Sequence, residues 1–305
     1  MKKIFILLLS MVILFSTGIY SKENIINISI QIDYNNAFDE NIEWSPGGDK
    51  IGVILDKVCF IIEKNGEIIQ EIKRDFKYSS SKLEWVDNNI VAFTHSDKLE
   101  ILNLETNESK VFTIGYAPFS ISYNDKRKEF AISSDYKIRL LDIETGEFKH
   151  LISFNEIFSV FYNRDGTRIF FTAFPYHMNN RPYLYTYNFK TWAFDRIIGE
   201  NEFFSLYFID QKKNKGYFMA GIGVEYGGSP LRMVEMDLET LEIKEYDEPD
   251  NKLIIYGYEV DPNIREDYYM GNNKSSIAVF LSPDLETAFV VDDEGARMIR
   301  NLSSN

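Results

Sequence analysis

The side chains best suited to chemistry gather in three late segments of the chain. "FPYHMNNRPY" (Phe174–Tyr183), "GIGVEYGGSPLR" (Gly221–Arg232) and "YGYEVDPNIREDYYMGNN" (Tyr256–Asn273) carry Tyr176, His177, Arg181, Tyr183, Tyr226, Arg232, Tyr256, Tyr258, Arg265, Tyr268 and Tyr269. Tyrosine offers a large apolar face with a hydroxyl at its rim, and arginine a planar fork of donors. The mixture suits recognition better than bond making. Two readings stay open: a binding surface for a protein, peptide or glycan, or aromatics that merely pack long loops onto their support.

Patterns that would mark an enzyme are incomplete. "GGSPL" (Gly227–Leu231) begins like a nucleophile elbow, but Leu231 stands where the closing glycine belongs and no strand-to-helix context surrounds it. "GIGVEYG" has Tyr226 in place of the third glycine of a dinucleotide fingerprint. His95, His150 and His177 lack ligand spacing, so neither metal nor cofactor is expected. Glu225 and Glu259 are candidates for an acid–base pair in glycoside hydrolysis by position alone; solvated loop acids look the same. Cys59 lies inside the apolar run Val58–Ile62 and reads as a buried strand thiol, and a single cysteine excludes an internal disulfide. The chain is expected to be non-catalytic.

Charge narrows the partners. The 305 residues carry 33 Lys and Arg against 47 Asp and Glu, a formal charge of −14. Such a surface repels nucleic acid, whose affinity for proteins comes largely from phosphate contacts to Lys and Arg. Met1-Lys2-Lys3 followed by apolar Ile4–Phe15 reads as a secretory signal, residues 1–21, too short an apolar run to span a bilayer. An exported, acidic mature chain from residue 22 follows, not membrane-spanning once the signal is cleaved and stabilised by a sizeable core.

Those side chains must be held by repeated elements. The blocks Asn41-Ile42-Glu43-Trp44, Lys82-Leu83-Glu84-Trp85, Ser120-Ile121-Ser122-Tyr123, Ser159-Val160-Phe161-Tyr162, Ser205-Leu206-Tyr207-Phe208 and Ala278-Val279-Phe280-Leu281 share one alternation, aliphatic second and aromatic or leucine fourth. They recur about every forty residues, with a longer gap before the last. Several short strands at that period make blades of a β-propeller. The third copy parses as Ile121–Tyr123, Glu129–Ser133, Lys137–Leu141 and Glu147–Ile152, its last two strands joined by "DIETGE" (Asp142–Glu147). Asp142 and Thr145 can accept backbone hydrogen bonds there, and Gly146 supplies positive φ. Gly66 and Asn107 fill the equivalent place in earlier copies. Trp192 and Leu241 do so later, and since a left-handed conformation would cost them about 1–2 kcal/mol, their turns are expected to take another geometry.

Trp44-Ser45-Pro46-Gly47-Gly48-Asp49, Tyr162-Asn163-Arg164-Asp165-Gly166-Thr167 and Leu281-Ser282-Pro283-Asp284 resemble the W-S-P-D-G-K/T motif of TolB-type, WD-like propeller repeats. Gly47 replaces the usual Asp, and copies two, three and five lack Ser-Pro. The resemblance implies a propeller fold with a binding role, no catalytic residues, and a bacterial protein.

The sixth copy supplies only three strands (Val279–Leu281, Thr287–Val291, Arg297–Asn301), while Ile25–Asp33 alternates with no copy of its own. The expected fold is therefore all-β, a single-domain six-bladed β-propeller of four-stranded antiparallel blades over residues 22–305, its last blade closed by the N-terminal strand. The extra residues before the sixth copy include one strand-like run, Leu253–Val260. They read as an elaborated loop, a degenerate seventh blade being the alternative. Second-to-third and fourth-to-first strand connections share one face of such a disc, and all three long segments fall on it. The expected role is an interaction or scaffold protein of the bacterial cell envelope, periplasmic or extracellular; a glycan- or small-molecule-binding propeller, or a hydrolase using channel carboxylates, is the alternative.

Overall fold

The tryptophan that ends each of the first two repeat blocks has a structural job. In the computed structural model, the Trp44 indole N–H donates to the Phe280 carbonyl at 2.8 Å, and that of Trp85 to the Glu43 carbonyl at 2.9 Å. Each first strand thus reaches into the first strand of the preceding sheet, so a ring carrying a donor is placed where a buried carbonyl needs one.

The structure describes residues 25–30, 41–55, 57–76, 81–134, 136–174, 183–197, 202–210, 213–222, 232–245, 253–255, 258–260, 278–283, 287–292 and 295–300, and every regular element among them is a strand. In chain order these are β1 (Ile25–Asn27); β2 (Ile42–Trp44), β3 (Lys50–Leu55), β4 (Val58–Glu63) and β5 (Ile68–Lys73); β6 (Leu83–Trp85), β7 (Ile90–His95), β8 (Lys98–Asn103) and β9 (Ser109–Thr113). Then come β10 (Ser120–Asn124), β11 (Glu129–Ser134), β12 (Lys137–Asp142) and β13 (Phe148–Ser153); β14 (Asn155–Tyr162), β15 (Arg168–Phe174), β16 (Tyr183–Asn188) and β17 (Phe194–Ile197); and β18 (Glu202–Asp210), β19 (Lys215–Ile222), β20 (Arg232–Asp237) and β21 (Ile243–Glu245). Last are β22 (Leu253–Ile255), β23 (Tyr258–Val260), β24 (Ala278–Leu281), β25 (Thr287–Asp292) and β26 (Gly295–Arg300). From β2 to β21 each successive four strands form one antiparallel sheet in chain order.

The chain forms two compact units. One comprises Met1–Ala117 and Asn263–Asn305, the other Pro118–Pro262. In the first, β1 completes the sheet of the last three strands in the order β1-β26-β25-β24, with Ile25 opposite Ile299, Ile26 opposite Met298 and Asn27 opposite Arg297. The ladder continues one bond further, from the Ile28 amide to the Ala296 carbonyl, and Ile28 and Ile30 are buried with Trp44, Ile51, Phe289 and Met298. Over Ile25–Asn27 the N-terminal segment thus pairs with the last strand of the sixth copy; residues 31–33 lie outside the described residues. A second core packs Cys59, Ile61, Ile72 and Phe76 against Trp85, Val91 and Phe93.

In the second unit, Ala131, Ile138 and Leu140 pack against Val160, Tyr162, Ile169 and Phe171. Phe161, Phe170 and Leu184 pack against Phe218, Val234 and Met236. Each core lies between the faces of two successive sheets, which is why second strands such as β3 and β11 are buried on both sides. Leu253–Val260, read as one strand, is instead a hairpin of β22 and β23, Leu253 facing Val260.

The recurring turn is built as expected in one respect and differently in another. Asp142 Oδ1 accepts from the Glu144 and Thr145 amides at 2.9 and 2.8 Å, and Thr145 Oγ1 from the Glu147 amide at 3.2 Å. Asn103, Asn188 and Asp237 make the same pair of bonds in their own turns. Trp192 and Leu241, however, do adopt the left-handed backbone, at φ 60° and 66°, beside Asn107 at 59° and Gly146 at 77°. The expectation of another geometry is corrected: side-chain acceptors at the first and fourth turn residues and an i to i+4 backbone bond over-determine the turn, whatever its fifth residue.

Candidate functional site

Two-residue turns join the second and third strands at Leu55/Val58, His95/Lys98 and Ser134/Lys137. The fourth-to-first connections start beside them, for the Arg74 amide donates to the Lys57 carbonyl, that of Ile114 to Asp97 and that of Phe154 to Tyr136. One end of each sheet therefore carries both kinds of connection. That end holds the notable side chains of each unit.

In the first unit, Glu100 of β8 has a carboxylate in place of an apolar strand residue, and it is only 2 % exposed. Arg74 leaves β5 and grips it with one edge of its fork, Nε to Oε2 at 2.8 Å and Nη2 to Oε1 at 2.6 Å. His95 Nε2 lies 3.1 Å from Oε2. The Arg74 hydrogen bond holds the Glu100 carboxyl below its ordinary range, and Glu100 in turn raises Arg74. Phe76 covers the site edge-on to Phe93 and His95. A shallow depression opens beside it, lined by Lys57, Val58, Lys73, Arg74 and Asp75. Nε and Nη2 of Arg74 are used by Glu100 and Nη1 by the Lys73 carbonyl, so the cluster works as a clamp between two sheets.

In the second unit the corresponding end is aromatic. Tyr136, in the β11–β12 turn, is 60 % exposed, while Phe119 just before β10 and Phe158 in β14 are each 39 % exposed. Phe119 and Tyr136 flank the Ser120–Ser133 pair, and Ser120 Oγ accepts from the Val160 amide, so both lie near Phe158 in level. A double irregularity in β14, with Glu156 at φ 42°, turns Phe158 outward onto Phe174, ring centroids 4.9 Å apart and perpendicular. Bulges commonly re-aim a side chain at a strand end in this way. Phe174 is the last residue of β15, where the first of the three long segments begins.

Of the sequence-derived site residues, Tyr183 opens β16 at the far end of that segment. It is buried in the core, and the Arg196 guanidinium lies 5.0 Å from its ring centre. Arg232 opens β20 and Tyr258 opens β23. Tyr176, His177, Arg181, Tyr226, Tyr256, Arg265, Tyr268 and Tyr269 lie outside the described residues. Phe119, Tyr136 and Phe158 escaped the sequence reading, although an aromatic in the two-residue turn that elsewhere holds Lys57 or Asp97 was a legible anomaly. Cys59 is fully buried, and desolvation pushes its thiol up to about 12. Among the described residues no group of three His, Cys, Asp or Glu could hold a metal ion, and no helix is long and apolar enough to cross a membrane.

No protein-family model matches the chain, and no curated protein matches it in sequence. Solved structures do resemble it. Tricorn protease superposes with a TM-score of 0.58 at 15 % identity over 92 % of this chain, which spans only 34 % of that one. The Swd1 β-propeller domain of Myceliophteria thermophila gives 0.53 at 9 % identity, covering 89 % of this chain and 98 % of that one. A structure described as TolB from Agrobacterium tumefaciens gives 0.51 at 13 % identity, covering 68 % and 79 %. Identities this low speak for the fold alone: the four-stranded sheets are those of a β-propeller similar to the TolB-like and WD-like kind.

Proposed function

We propose that this protein is a non-catalytic interaction propeller of the bacterial cell envelope, exported after loss of residues 1–21, with residues 22–305 forming one closed six-bladed ring. Its recognition surface is the end of the sheets where the second-to-third and fourth-to-first connections lie. The observation that carries this reading is that three aromatics, Phe119, Tyr136 and Phe158, are left exposed at that end, with Phe158 against Phe174 at the root of a long segment rich in Tyr and Arg. Six four-stranded sheets among the described residues and the β1–β26 pairing support the ring. Tyr136 and Phe158 offer hydrophobic anchors at the sheet end, and Phe158 is already held against Phe174. The residues of the long segments, Tyr176, Arg181, Tyr226 and Arg232 among them, extend the surface.

Affinity capture from envelope extract tests this. The double variant Tyr136→Ala with Phe158→Ala, checked for an unchanged melting curve, is expected to lose its partner at least tenfold, as two hot-spot anchors would require. Partner recovery equal to that of the parent chain rules the surface out.

A further inference from the structure

In the unit Pro118–Pro262, the turns that join first to second and third to fourth strands lie at the end of each sheet opposite the connections, and they form two rows of unlike charge. The first row holds Asp125–Lys128, Asn163–Thr167 and Lys213-Asn214, with Lys126, Lys128, Arg164 and Lys213 exposed. The second holds Asp142–Glu147, Asn188–Ala193 and Asp237–Glu242, with Glu144, Glu147, Glu239 and Glu242 exposed. Within each sheet a backbone bond ties the two turns together: the Ile143 amide donates to Lys128, that of Phe189 to Thr167 and that of Leu238 to Asn214. Between sheets, Lys126 Nζ meets Asp165 Oδ1 at 2.9 Å, and the Arg164 amide donates to Asn214 Oδ1 at 2.9 Å. The rows therefore run side by side on one hydrogen-bonded surface.

Folding gains little from this charge pattern, because the Lys126–Asp165 and Lys128–Asp125 pairs are exposed. The middle sheet adds Trp192 to the second row. Its indole is 78 % exposed and, among the described residues, makes no ring contact or hydrogen bond. Its backbone is left-handed at φ 60°, where earlier copies have Gly66, Asn107 and Gly146. Strained positions held by their surroundings cluster where a protein meets its ligands, and an exposed tryptophan amid polar groups is the pattern of a binding hot spot.

We propose that this end of Pro118–Pro262 is a weak contact between two copies of the chain, related by a two-fold axis that lies in the contact plane, between the rows and parallel to them. Such an axis lays the basic row of one copy on the acidic row of the other, with each sheet over its own counterpart. Lys126 and Lys128 then face Glu144 of the second copy, and Lys213 faces Glu239 and Glu242. Arg164 lies over Trp192, a cation on an aromatic face. The cation of the acidic row, Lys190, and the acid Asp165 of the basic row are both in the middle sheet, so they too meet as opposites. An axis across the rows would set like charge on like. This end is opposite the proposed recognition surface, so the two do not compete.

Net charge sets the conditions. At about 0.01 M salt a Debye length of about 30 Å lets two chains of formal charge −14 repel as wholes. At about 0.15 M the length is about 8 Å and only the apposed rows are felt; at about 1 M, with about 3 Å, the rows are screened as well. Association is strongest at intermediate salt.

Sedimentation of the full chain across protein and salt concentration is the test. A dimer is expected at high protein concentration near about 0.15 M salt, with less of it at lower and at higher salt. Trp192→Ala should weaken dimerisation roughly tenfold or more. Two variants separate the contact from folding: Lys126→Glu, Lys128→Glu and Lys213→Glu together reverse the first row, and Glu144→Lys, Glu147→Lys and Glu242→Lys together reverse the second. Each variant alone is expected to stay monomeric, and an equal mixture to recover the dimer, because every reversed row finds its opposite in the other variant. A parent chain that is monomeric at every salt concentration overturns the proposal, as does a dimer that survives in either variant alone or a mixture that fails to associate.

Discussion

Trp192 carries a backbone conformation that its bulk resists by about 1–2 kcal/mol, yet its indole is 78 % exposed and joins no core cluster. Leu241, in the same position of the next sheet, is partly repaid by packing against the core that holds Phe218 and Met236. The turn bonds come from Asn188 and Thr191, so they survive a change at the strained residue. Trp192→Gly is thus expected to raise unfolding free energy by about 0.5–1 kcal/mol, strain relief exceeding the extra entropy of glycine. Thermal or urea unfolding reads this, and a lowered midpoint would show that the indole makes a stabilising contact.

Glu100 gives a pH dependence with a definite sign. Its carboxyl is held below the ordinary glutamate value of 4.5, chiefly by Arg74. Its stabilising contribution is therefore complete above that value and is lost as pH falls through the lower, folded-state value. Glu100→Gln should cost about 2 kcal/mol at neutral pH, an estimate kept low because the Arg74 side chain is about one-third exposed and screened. The difference between parent and variant should shrink below pH 4.5, and a constant difference through acid titration would remove Glu100 from this role.

At the scale of elements, the N-terminal strand is short and yet one of the most consequential. Its ladder has three residue pairs, and the two residues that follow in alternation, Ile28 and Ile30, are both buried. Burying an isoleucine contributes about 1.5–3 kcal/mol, so the anchoring comes from side chains more than from the ladder. Ile28→Ala is expected to lower stability by about 2–4 kcal/mol and to speed amide exchange along β26 (Gly295–Arg300), whose outer edge β1 covers. Unchanged exchange along β26 in that variant would mean that the seam holds without the core contact. The first-to-second strand turns show the same economy of means in another form. Ser45 Oγ accepts from the Lys50 amide and donates to Asp49, and Ser282 repeats the amide bond with Thr287. Asn163 replaces the serine, its Oδ1 accepting from the Arg168 amide. The Ser-Pro motif is thus a turn staple that other residues can supply, which is why its absence from several copies left the sheets intact.

For the whole molecule, the sequence alone determined the repeat and the kind of element repeated, because both are written at short range. Alternation puts alternate side chains on one face of a strand, polar turn residues close hairpins locally, and counting strands left Ile25–Asp33 as the piece missing from the sixth copy. Even the buried thiol of Cys59 followed from its neighbours. The tertiary structure decided what depends on distant residues meeting or on local rules being overruled. Arg74 meets Glu100 only when two sheets stack, and nothing in a run of Lys-Leu-Glu-Ile-Leu says which cation will answer the carboxylate. The outward turn of Phe158 needs a bulge that sequence alternation does not show, and the burial of Tyr183 needs the sheet against which it packs. The left-handed Trp192 arose because hydrogen bonds from other residues dominate a single propensity. Local chemistry specifies elements, and long-range packing selects which of their side chains are left facing solvent.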